Sequence, residues 1–311
     1  MNPRRVLWIS GVAAVLYIAV AWWVINNFEL PPLSGAVVAL VVAAGACQIS
    51  AKFFFGLLFR ESVRKTGSEL AIWSAFKGAL VGAGIARLIP AGGAITPVAM
   101  SWTVRDEVDG TAGAAVRTVL LNYAGLLIMT GVGLLTARPG DSAKIASVSL
   151  VVLAPLVLLL GLMLMFGSGR LGTLSKYLPR FVKEKIQSSV IDHFPGFESQ
   201  LYIWGRLGLE ATALWLVLEA FGIEVNGLQV LAAFGVSQLA GGLPGTPGGM
   251  GVTEVGLAFI LAAYGFPAST TAVPILVFRL VSFWLPAGLG FVAGGSVFLR
   301  SDAAREAKAD A

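Results

Sequence analysis

The stretch "GGLPGTPGGMGVTEVG", residues 241–256, holds seven glycines, two prolines and one carboxylate, with a long apolar run on either side. Glycine and proline both interrupt helices, and a lipid-exposed backbone cannot leave its N–H and C=O groups unpaired. A break here is tolerable only if the backbone turns inside the protein or lines a cavity, so the segment reads as the tip of a hairpin with Glu254 beside it.

The rest of the chain agrees with a membrane setting. Of 311 residues 57% are hydrophobic and 13% charged, and the mean hydropathy is +0.83. Soluble folds carry about 25% charged residues, which excludes a soluble enzyme or a nucleic-acid-binding domain. One cysteine, Cys47, lies in an apolar run, and there is one histidine, His193. Neither a disulfide framework nor a metal or cofactor site is expected. The formal charge of +5 is assigned to loops, where it sets topology and meets anionic lipid. Arg4 and Arg5 precede the first apolar run, which ends in Trp22 and Trp23 without a small-residue cleavage site, so it reads as an uncleaved first helix.

Apolar runs long enough to span lie at 6–25, 33–59, 113–136, 145–167, 201–221 and 271–299. Two further regions, 73–104 and 227–264, are apolar but interrupted by Gly and Pro. The loop 26–32 has no Lys or Arg. The next carries Arg60, Arg64, Lys65 and Lys77, and the long loop 168–200 carries Arg170, Lys176, Arg180, Lys183 and Lys185. The positive-inside rule puts the N-terminus, both basic loops and the C-terminus in the cytoplasm. This holds only if each interrupted region enters and leaves on one side. The expected fold is therefore an all-α integral membrane protein, with about six transmembrane helices plus two re-entrant helical hairpins. The halves, about 1–136 and 145–300, have the same order in opposite orientation, an inverted repeat within one polytopic domain of residues 1–300. The polar tail 301–311 is expected to be disordered. Paired broken segments in inverted halves point to a transporter site near the midplane.

Several residues could serve such a site. Pro244 and Pro247 stop the incoming helix, and Thr246–Pro247 suits the cap and first position of an outgoing half-helix, whose positive end could hold a phosphate or carboxylate. Glu254 then falls about two turns into that helix. It is either a ligand or coupling group, or a structural partner for an internal cation. Arg279, inside the last span, is either that partner or an anchor for a lipid phosphate. Arg87, before "LIPAGG" in the first hairpin, either supplies a second phosphate contact or snorkels to the interface. Gln238 and Ser237 lie in the arm leading to the second tip, as packing polar groups or substrate contacts. Arg206 and Glu210 read as a local i, i+4 salt bridge near the cytoplasmic end of their span. The segment 177–197 mixes basic and apolar residues and reads either as an interfacial helix or as a plain basic loop. His193 within it is a surface residue on either reading. "GAGIAR", 82–87, lacks the βαβ context of a phosphate loop and is set aside.

At "LPGTPGGMGVTEVGLAFIL" the chain resembles the lysylphosphatidylglycerol synthase transmembrane region family, also called flippase-like. The pattern P-G-G-x-G-x-x-E matches Pro247, Gly248, Gly249, Gly251 and Glu254, and Arg279 in a later apolar helix fits as well. In the best-known relatives, the multiple peptide resistance factors, this region moves aminoacylated phosphatidylglycerol to the outer leaflet and a separate soluble domain makes the lipid. Other stand-alone relatives are associated with hopanoid or polyprenyl-linked glycan pathways. The resemblance implies a non-enzymatic lipid transporter of the cytoplasmic membrane without the synthase domain, since the chain ends shortly after its last span. Many relatives carry a Gly-Glu in the first hairpin where this chain has Ala94 and Ile95, leaving Glu254 as the one motif acid. The partners expected are anionic or phosphate-bearing membrane lipids. A second copy of the chain or a lipid-modifying enzyme also remains open as a partner. A non-transporting scaffold for such an enzyme is the alternative function.

Overall fold

The structure, a computed structural model, describes residues 34–88, 92–137, 144–166, 195–242 and 248–294, together with Ala19, Trp22 and Asn26. The expected first span, most of the loop 168–200 with His193, the Thr246–Pro247 pair and the C-terminal tail lie outside these residues. The described architecture is all-α. Its helices are α1 (Gly35–Arg64), α2 (Ile72–Leu88), α3 (Gly92–Thr103), α4 (Ala112–Thr136), α5 (Lys144–Phe166), α6 (Phe197–Ala220), α7 (Gly227–Gly241), α8 (Val252–Ala263) and α9 (Ala268–Arg279). α9 continues through a π turn at Leu280–Trp284, where the Leu285 N–H bonds the Leu280 carbonyl, and the apolar run extends to Gly294.

Among the described residues, α1, α4, α6 and α9 with its extension are long and apolar enough to cross a membrane. α5 coincides with the run expected at 145–167. These helices need little amphipathic patterning because lipid accepts apolar side chains on every outward face. Val42, Trp73, Leu156, Met163, Val255 and Val292 are all exposed. Helix starts are secured locally. The Ser34 hydroxyl accepts from the Val37 N–H at 3.3 Å, and Asn226 and Gln229 form a reciprocal capping box on α7.

The two interrupted regions each fold into a helical hairpin. Gly78 and Gly82 of α2 lie against Met100 and Thr96 of α3, and Gly256 of α8 lies against Ala240 and Ser237 of α7. In both pairs the contacts run antiparallel. α1 and α6 also pack antiparallel, with Arg64 paired to Glu198 at one end and Lys52 to Glu210 further along. A buried knot ties α1 to α4: Arg117, 2% exposed, donates to Glu61 Oε2 at 2.8 Å and to Ser62 Oγ at 2.9 Å.

Close helix crossings depend on glycine. A Cβ on Gly84 of α2 would lie 3.1 Å from the Gly290 Cα in the α9 extension, and a Cβ on Gly133 of α4 would lie 2.9 Å from the Ala232 Cα of α7. Small residues let backbones approach where no hydrophobic force drives helices together. Gly133→Leu is therefore expected to destroy the α4–α7 crossing, because backbone rather than a flexible side chain stands in the way. Size-exclusion chromatography in mild detergent should show aggregated rather than monodisperse protein.

Candidate functional site

A cavity of about 180 Å³ is lined from both hairpins, by Arg87, Gly93 and Thr96 of the first and Gln238, Gly241 and Gly248 of the second. α1, α4, α6 and α9 close the remaining walls. At the described end of the second tip, Gly248, Gly249 and Gly251 take φ of 57°, 71° and 82°, a region open to glycine and costly for other residues. A Cβ on Gly248 would meet the Arg87 Cα at 3.0 Å, so this tip presses on the end of α2.

Charge dominates the cavity. Arg279 donates from Nε to Glu254 Oε1 at 2.9 Å and from Nη2 to the Gly248 carbonyl at 3.3 Å. Its guanidinium also sits 4.7 Å from the Phe283 ring centroid. Arg87 donates to the carbonyls of Ala83 and Ser282, both at 2.8 Å. Between α1 and α6, Glu210 accepts from Lys52 and, at 3.2 Å, from Arg206 Nη2. Arg206 also lies over the Phe55 ring at 4.5 Å. Several buried polar atoms of the lining have no partner among the described residues: Gln48 Nε2, Arg206 Nε and Nη1, Asn122 Oδ1 and Ser282 Oγ. Native interiors rarely leave such atoms unsatisfied, and water or a polar ligand in the cavity would satisfy those that line it.

The sequence matches the family described as the lysylphosphatidylglycerol synthase TM region over residues 6–290. The chain belongs to that family. It is similar to UPF0104 membrane proteins of two archaea. One alignment with Methanothermobacter thermautotrophicus is 37% identical over 84 residues, covering 27% of this chain and 25% of the relative. One with Methanocaldococcus jannaschii is 34% identical over 80 residues, covering 26% and 24%. The matched region thus spans about a quarter of each of these relatives. Membership together with the long apolar helices makes this a multi-pass membrane protein.

Of the family motif, Gly248 lines the cavity, together with Arg279 of the later helix. Glu254 lies in the first turn of α8 rather than two turns in, because the helix begins at Val252 after three positive-φ glycines. Pro247 is outside the described residues. Glu254 reaches the cavity through Arg279 rather than lining it, while Gly249 packs on Gly241 and Gly251 faces open space. Arg87 does not snorkel: its guanidinium is held by two carbonyls of the interior. Arg206 and Glu210 form the expected i, i+4 salt bridge at 3.2 Å, but it is buried and not isolated. Glu210 is 5% exposed, lines the cavity and is shared with Lys52 of another helix.

Lys52, Gln48 and Asn122 are lining residues that the motif reading passed over. Gln48 and Lys52 are an i, i+4 polar pair within the apolar run 33–59, a spacing that puts both on one helix face. An intramembrane lysine on such a face is itself a functional signal.

Proposed function

We propose that the protein moves a phosphate-bearing lipid between the leaflets of the cytoplasmic membrane. The observation that carries this reading is the cavity reached from both hairpins, where, among the described residues, Lys52, Arg87, Arg206 and Arg279 stand against Glu210 and Glu254. Cations inside a membrane protein are costly unless they answer an anionic partner, and an Arg- and Lys-lined space suits a phosphate. Acyl chains would remain in the bilayer while the headgroup crosses through the cavity.

The crossings support two inverted halves in this reading. The first hairpin meets the last helix of the second half at Gly84 and Gly290, and the second hairpin meets the last helix of the first half at Gly133 and Ala232. α1 and α6, which hold corresponding places, pack on each other. Each hairpin then enters and leaves on one side, from the cytoplasm for α2–α3 and from outside for α7–α8, with both termini cytoplasmic.

Purified protein reconstituted into liposomes with a headgroup-labelled phospholipid tests the proposal. Quenching of the outer leaflet should reveal exchange of inner-leaflet label well above the protein-free rate. Protein-free rates with every phosphate lipid tried, together with co-purification of a lipid-modifying enzyme, would favour the scaffold reading instead.

A further inference from the structure

The balance of charge around the cavity says more about the headgroup than that it is anionic. Glu254 neutralises Arg279. Glu210 is shared between Lys52 and Arg206, leaving one cation of that trio without a carboxylate. Arg87 has only neutral carbonyls as hydrogen-bond partners. Among the described residues four cations therefore stand with two carboxylates, a formal surplus of two positive charges. In sequence, the segments 89–91 (Ile-Pro-Ala) and 243–247 (Leu-Pro-Gly-Thr-Pro) contain no charged residue.

Unused hydrogen-bond donors outnumber the one unused carbonyl acceptor of the lining, Asn122 Oδ1. Gln48, 1% exposed, lines the cavity with its Nε2 unpartnered, and Arg206 offers Nε and Nη1. Buried donors without acceptors are costly, and phosphate oxygens would satisfy all three. An ammonium group would bring a third uncompensated cation into the same low-dielectric space. The volume of about 180 Å³ also falls below the roughly 300–1,000 Å³ of drug-sized sites, which favours a compact group over a sugar.

We infer that the cavity is built for a phosphate group carrying two negative charges, a phosphomonoester or a diphosphate, and discriminates against aminoacylated headgroups. This rests on the proposed reading only in treating the cavity as a headgroup site, and it does not require transport. A lipid phosphomonoester and a free phosphate ion share the chemistry, so the test separates them.

The test is native mass spectrometry of the full chain in detergent at about pH 8, above the second phosphomonoester ionisation near 6. The protein is titrated with equimolar phosphatidic acid, phosphatidylglycerol, phosphatidylcholine and lysylphosphatidylglycerol of matched acyl chains, with inorganic phosphate and pyrophosphate as separate competitors. Phosphatidic acid is expected to bind about tenfold tighter than phosphatidylglycerol, with lysylphosphatidylglycerol weakest of the charged lipids. Arg206→Gln leaves Lys52 on Glu210, lowers the surplus to one and should shrink that preference to about twofold or less. Gln48→Leu changes no charge and should weaken both lipids alike. Displacement of phosphatidic acid by millimolar phosphate or pyrophosphate would assign the site to the soluble ion; resistance to it assigns the lipid. Equal binding of phosphatidic acid and phosphatidylglycerol, or lysylphosphatidylglycerol on a par with them, overturns the inference. Leaflet exchange without the preference leaves the proposed function standing, and the preference without exchange does the reverse.

Discussion

Glu254→Gln is expected to reduce leaflet exchange to the protein-free rate and to lower the thermal midpoint in detergent. The substitution keeps the shape of the side chain but leaves Arg279, 4% exposed, without its carboxylate. Breaking a buried pair from one side costs about 3–5 kcal/mol, because the surviving charge remains desolvated. Arg279→Ala should be as damaging to exchange, since it also removes the bond to Gly248 and the contact with Phe283. The informative comparison is the double variant Glu254→Gln/Arg279→Met. It removes both charges, so stability should recover well above that of Glu254→Gln alone, while exchange stays absent. Recovery of both would make the pair purely structural, and unchanged exchange in the two single variants would sink the site assignment.

The second large effect is expected at Glu210. One carboxylate serves Lys52 and Arg206, so Glu210→Gln strands two buried cations at once. Its cost should exceed the roughly 3–5 kcal/mol of a single broken pair and appear as a large fall in folded yield. Lys52→Met should be much milder, because Glu210 keeps Arg206 and the surplus charge declines. Thermal unfolding followed by size-exclusion chromatography ranks the two. Equal destabilisation by Lys52→Met and Glu210→Gln would show that the carboxylate is not shared in the way described.

The elements of the fold were largely legible from hydropathy and helix breakers. The two interrupted regions became the helical hairpins α2–α3 and α7–α8, and the runs at 113–136 and 201–221 became α4 and α6, with ends shifted by a few residues. The pairing of Glu254 with Arg279 was one of the alternatives open at the level of sequence, because both residues are expensive in lipid and so invite a partner. The other half of the charge cluster was less visible. Lys52 and Glu210 are 158 positions apart, and nothing local says that α1 and α6 lie side by side. An i, i+4 reading of Arg206 and Glu210 finds a true contact but misses the second helix that buries it. The start of α8 was misplaced for a different reason. A Thr-Pro pair is a good helix start in isolation, yet the three glycines after it adopt positive φ and postpone the helix to Val252.

The π turn at Leu280–Trp284 gives α9 one residue more than a regular turn holds, so everything after it is rotated by about 100° relative to an unbroken α-helix. Arg279 before the turn is aimed at Glu254, and Gly290 after it is aimed at Gly84. The turn itself presents the Ser282 carbonyl to Arg87. The constraint on this segment therefore falls on residue number more than on residue type. Leu280, which points outward, can be exchanged for another apolar residue with little consequence. A single deletion between 280 and 284 would put the charged pair and the glycine crossing out of phase, and no choice of side chain could restore both.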